Sequence, residues 1–188
     1  MKKAKSIWIG AAVVLAMPAY GADKLDRHSG ETLARQAPIG FKSVFSGDRN
    51  GASVQEFAPK AQNLKTWTSM VTIQVFKAKP DLRPGKFLVE FGENYAAVCP
   101  ALSHTNVLNG SANGYDVSLL AIQCPRNPTT GRPENLYIRA IKGEDSFYSV
   151  QYAYDHALTT DEKVSLGKYL ESVIVCDTRK SGHPCPAK

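Results

Sequence analysis

The residues whose types could do chemistry are few and scattered. Cys99 and Cys124 share the chain with His104 and His156, and a thiolate beside an imidazole would be a nucleophile. A serine nucleophile needs a tight turn of the form Gly-x-Ser-x-Gly, which the chain lacks. Glu90, Glu93, Asp116, Glu134, Glu144 and Asp145 could supply two carboxyls for glycoside hydrolysis, but nothing in their spacing brings any two together, and Glu90 and Glu93 fit the solvated side of a helix. There is no glycine-rich phosphate loop or dinucleotide fingerprint. Zinc needs closely spaced Cys or His pairs. Cys-x-x-Cys and His-x(3–5)-His are both absent, with His104, His156 and His183 spread singly, so no metal or cofactor is expected.

The chain's start decides how the cysteines read. Met1 to Lys5 carries three lysines, Ile7 to Met17 is apolar, and Pro18 to Ala22 is small-residue rich, the order of a secretory signal peptide over residues 1–21. The apolar part falls short of the about 20 residues that a bilayer span takes. Cleavage after Gly21 or Ala22 removes Lys2, Lys3 and Lys5 and no acid, so the formal charge drops from +6 to +3. The remaining cations are interleaved with acids and form no run, which sets aside nucleic acid and anionic lipid as partners. No later stretch has transmembrane length, and the expected location is the periplasm or beyond it. Four cysteines in an oxidising compartment argue for two disulfides. Of the three connectivities, Cys99–Cys124 with Cys176–Cys185 closes the shortest loops, each contributing roughly 3 kcal/mol.

One segment stands out as a binding element. Cys124-Pro-Arg-Asn-Pro-Thr-Thr-Gly-Arg-Pro-Glu134 holds three prolines and a glycine behind an anchoring cysteine, and Arg126, Asn127, Thr129, Thr130, Arg132 and Glu134 give it polar ends. A loop stiffened in this way loses little entropy when it binds. Trp67 is a second candidate, because aromatics favour binding surfaces, although a strand Trp also suits a core.

The elements that must position these residues read as an α+β domain. Period-two alternation predicts strands over 41–45 and 52–57 around Gly47 to Gly51, over 66–76, and over 104–109 and 114–123 around Asn109 to Gly114. It also predicts a central hairpin over 134–154, with Leu136, Ile138 and Ala140 on one face and Tyr148, Val150, Tyr152 and Tyr154 aligned on the return strand. Leu88, Phe91, Tyr95 and Val98 make a helical stripe, with Asp81 as cap and Pro84 in the first turn. Thr159 with Glu162 is a capping-box pattern opening a second helix, whose buried side is Val164, Leu166, Leu170, Val173 and Ile174. The expectation is one largely antiparallel sheet of about seven strands with two main helices packed against it. An arm over 22–40, with a short helix at 31–36, precedes the globular part at 41–176, and a stapled irregular tail over 177–188 follows it.

The blocks Trp67 to Gln74, Cys124 to Glu134, Ala140 to Gln151 and Val175 to Arg179 resemble a group of uncharacterised exported proteobacterial proteins over about residues 40–186. The resemblance implies a periplasmic or secreted Gram-negative protein and carries no activity. The element order also resembles the α/β/α sandwich of the extrinsic photosystem PsbP proteins, an analogy of fold. Two functions stay in view. One is a non-enzymatic envelope binding or accessory module, of inhibitor, immunity or assembly-factor type, acting on another envelope protein. The other is a small hydrolase of cell-envelope polymers, which an acidic pair facing a cleft would favour.

Overall fold

Alternation along residues 69–77 and 146–154 sets up the centre of the molecule, since every second side chain of each strand enters a different hydrophobic layer. The computed structural model describes residues 30–34, 37–49, 51–77, 79 and 81–186. Along the chain come β1 (Glu31–Leu33), β2 (Phe41–Arg49), β3 (Ala52–Pro59), β4 (Ser69–Lys77) and α1 (Pro84–Val98), then β5 (Ser103–His104) and β6 (Leu108–Ala112). They are followed by β7 (Tyr115–Cys124), β8 (Glu134–Lys142), β9 (Ser146–Tyr154), α2 (Thr160–Ser172) and β10 (Val175–Asp177). The main sheet has eight strands in the order β2-β3-β4-β9-β8-β7-β5, with β6 also on β7. Every pairing is antiparallel.

The sheet lies between two layers. Leu136, Ile138, Ala140, Phe147 and Ala153 face α1, where they meet Leu88 and Tyr95. Val71, Ile73, Ile141, Tyr148, Val150 and Tyr152 face the other way, onto Leu166 and Tyr169 of α2 and onto Leu33 and Val175 of the separate β1-β10 ribbon. Ile138, Phe147 and Val150 are fully buried, each contributing about 1.5–3 kcal/mol by removal from water. Alternation also carries Arg139 into the α2-side layer at 6% exposure, where burial lowers its pKa against the opposing pull of Glu171.

The expected α+β class, the antiparallel sheet, both helices and both disulfides are present. Several details differ. Glu31 to Leu33 is a strand and not helix, because pairing with β10 outweighs local propensity. Asp81 does not cap α1; Arg83 holds the cap position, without a side-chain bond, ahead of Pro84. Val98 is 48% exposed because Cys99, four residues after Tyr95, takes the inward place. Val164 is 52% exposed, and Tyr169 lies in the stripe with Leu166 instead. The turn before β7 is the two-residue Asn113-Gly114, with φ of 50° and 80°; Asn109 and Gly110 lie inside β6. Asp177 closes β10 and is buried, so the irregular tail starts one residue later. The expected signal peptide and much of the arm fall outside the described residues.

Candidate functional site

The loop between β7 and β8 is tied at its base and folded on itself. Cys124 is bonded to Cys99 at the end of α1. Asn127 organises the remainder of the loop. Its backbone N–H donates to Arg132 O at 2.8 Å, its carbonyl accepts from Gly131 N at 2.7 Å, and its Oδ1 accepts from Thr129 N at 2.8 Å. Gly131 sits at φ +69°, the left-handed region that glycine enters without strain. The Asn127 amide donates to the Glu134 carboxylate and to the buried Tyr95 hydroxyl at 3.4 Å, so the loop is keyed into α1. Burial, and next the Glu134 charge, hold the Tyr95 phenol well above its ordinary pKa.

Arg132 turns inward. Its guanidinium lies 5.1 Å from the Trp67 ring centroid, and its Nη1 donates to Trp67 O at 3.1 Å and to Asp155 Oδ2 at 2.6 Å. Trp67 itself is 8% exposed and belongs to the α1-side core. The other Asp155 oxygen meets His156 Nδ1 at 3.0 Å, and His156 Nε2 meets Glu162 Oε1 at 2.9 Å. Glu162 also accepts from the Thr159 N–H at 2.8 Å and hydroxyl at 2.9 Å, completing the capping box of α2. A continuous polar chain thus runs from Trp67 through Arg132, Asp155 and His156 to the start of α2.

Of the residues singled out in the sequence, Asn127, Arg132, Glu134 and Trp67 form the inner support of the loop. Arg126, Thr129 and Thr130 stand on its exposed side. Asp155 carried no signal in the sequence, while His156 stood there only as a possible partner of a cysteine and Tyr95 only as part of the apolar stripe of α1. His156 follows Asp155 directly and lies six residues before Glu162, so only the capping box was a usable signal for this network.

The chemistry open to the network follows from its bonding. An imidazole facing carboxylates through both nitrogens donates from both, which is the cation. The hydrogen bonds from His156 to Asp155 and Glu162 raise its pKa accordingly. Both ring nitrogens of His156 are thus engaged by carboxylates, an arrangement that favours its protonated form. Among the described residues no group of three His, Cys, Asp or Glu could hold a metal ion. Several of the candidate carboxylates are engaged by other groups. Glu90 pairs with Lys86, Glu134 with Asn127, and Asp145 with Arg179. Asp116 and Glu144 border a shallow groove of about 410 Å3 at the opposite end of the sheet, but Glu144 is bound to Lys180 at 2.5 Å.

A sheet of antiparallel strands with a helix on each face places the chain among α+β sandwiches. No family model and no curated protein matches it. Among solved structures, a Pseudomonas aeruginosa protein of unknown function is similar at 15% identity over 77% of this chain and 96% of that one, with a TM-score of 0.51. A Bacteroides thetaiotaomicron protein gives 14% over 84% of this chain and 48% of that one, with a TM-score of 0.46. Cyanobacterial PsbP (CyanoP) from Synechocystis sp. PCC 6803 gives 10% over 81% and 94%, with a TM-score of 0.48. The Pseudomonas likeness is one of fold alone. No described helix is long and apolar enough to cross a membrane.

Proposed function

We propose that the protein is an exported, non-enzymatic binding or accessory module of a Gram-negative envelope, and that it contacts a partner protein through the outer side of the 125–134 loop. The signal-peptide pattern at residues 1–21 and the two disulfides support the compartment. The observation that carries the binding role is the division of labour within the loop. Asn127, Arg132 and the Cys99–Cys124 bridge fix its backbone, while Arg126, Thr129 and Thr130 are left at the surface. Such a segment presents polar groups with little ordering cost, and Arg126 suits a carboxylate on the partner, which a planar guanidinium engages at two points.

The test is capture of partners from periplasmic extract with the mature chain, followed by affinity measurements on a triple variant, R126A/T129A/T130A. The variant should keep its unfolding midpoint and lose about 2 kcal/mol of binding, roughly thirtyfold. Unchanged affinity would reduce the loop to a connector.

A further inference from the structure

On the α2 side of the sheet one row of side chains is closed at one end and open at the other. Val150, Arg139, Leu119 and Leu108 stand opposite one another on β9, β8, β7 and β6, and residues so paired share a face. Val150 is fully buried, Arg139 is 6% exposed, Leu119 is half-buried and Leu108 is 63% exposed. Near its buried end the row therefore carries a guanidinium. Arg139 Nε is sealed from solvent with no hydrogen bond, and no described carboxylate forms an ion pair with this arginine. Glu171, exposed on α2, attracts it without reaching it. A buried cation in this state weakens a fold until an anion completes it.

Val164, Gly167 and Glu171 follow one another at spacings of three and four and so form a line along α2, which the pull of Glu171 on Arg139 sets toward the row. Val164 is 52% exposed, and a Cβ on Gly167 would stand in open space. Line and row together border a cleft that is apolar at its mouth and cationic at its floor. One guanidinium engages one carboxylate at two points. The backbone groups between β6, β7 and β8 are already paired, so the row offers apolar side chains where a peptide would need partners for its own amides. From β8 to β6 is two strand spacings, about 10 Å. We propose that this cleft binds an alkyl carboxylate of the fatty-acid class, its carboxylate on Arg139 and its chain laid outward over Leu119 and Leu108 beside α2. The site is separate from the outer side of the 125–134 loop and independent of its role.

Titration calorimetry of the mature chain with decanoate, below its micelle concentration, tests it. One decanoate should bind per chain, about tenfold more tightly than octanoate, because two further methylenes are buried. Decanol should bind at least tenfold more weakly than decanoate. R139M should lose at least tenfold in decanoate affinity while its urea midpoint is kept or raised, since an apolar side chain replaces an unpaired cation. G167L places a side chain in the cleft and should likewise lose at least tenfold with its midpoint kept, and it carries the test should R139M not fold. E171Q removes the carboxylate that competes for Arg139 and should tighten binding. The proposal is overturned by the absence of saturable decanoate binding, by equal binding of decanol, or by wild-type affinity in either R139M or G167L. Tighter binding of an apolar peptide with a free C-terminal carboxylate than of decanoate also overturns it and makes the cleft a protein contact.

Discussion

Arg126 and Arg132 sit six residues apart on one loop and have opposite assignments. Arg132 is committed to Asp155 and to the Trp67 ring and carbonyl, so R132A strips a mostly buried carboxylate of its guanidinium and leaves it the His156 contact. We expect a loss of about 1–3 kcal/mol in urea unfolding, against about 0.5 kcal/mol or less for R126A at an exposed position. His156 gives a second outcome at this scale, set by the sign of its titration. Its folded pKa is raised by its hydrogen bonds to Asp155 and Glu162. Its contribution is therefore full below the unfolded value of about 6.5 and is lost as pH rises through the folded one. Glu162 is shifted the other way, first by the Thr159 backbone N–H and then by His156, so its contribution is present above about 4.5 and is lost as pH falls through its depressed value. Unfolding midpoints should fall between about pH 6 and pH 9 more for wild type than for H156Q. Parallel profiles would show that the imidazole contributes nothing.

The two disulfides do different work at the scale of elements. Cys99–Cys124 spans 25 residues and joins the end of α1 to the base of the loop, whereas Cys176–Cys185 spans 9 and ties the tail to β10. On loop entropy, the C99S/C124S pair should cost about 3.5 kcal/mol and C176S/C185S about 2.6. Only the first should loosen the contact between Asn127 and Tyr95, seen as faster amide exchange at Thr129 and Gly131. Elements whose signals are local were legible in the sequence: the alternation of Val71, Ile73 and Val75, the tyrosine ladder of β9, and the Thr159–Glu162 box. What was not legible depends on residues far apart in the chain. Glu31 to Gln36 has helix-forming residues, and only β10, over 140 positions later, makes its start a strand. Two Asn-Gly steps compete before β7, and the one chosen delivers Tyr115 and Val117 into the core. Nothing near Arg132 in the sequence marks Asp155 as its partner. The stapling cysteines were readable because their number and compartment constrain them; the inward arginine was not.

The molecule as a whole presents different devices at its two ends. The 125–134 loop lies at one end of β7 and β8, and the β8–β9 turn that holds Glu31, with its bordering groove, lies at the other. At the lateral edges, β2 carries a register shift between Ser43 and Phe45, which discourages further strand addition there, and the edge beyond β7 is divided between the short strands β5 and β6. The sheet order also separates into two chain-local meanders, β2-β3-β4 and β7-β8-β9, each built from neighbours in sequence and joined along β4 and β9. Closing that seam brings residues 69–77 against 146–154 across most of the domain, and long-range pairing of this kind is what makes folding slow. The seam should therefore set the speed at which the chain matures: V71A and V150A are expected to slow refolding in proportion to the stability they remove, with φ-values of about 0.5 or more, while V54A in the outer meander should act mainly on unfolding. Until the seam closes, each half exposes the apolar edge that the other will cover, so a chain delayed at this step is open to capture by a chaperone or by another copy of itself.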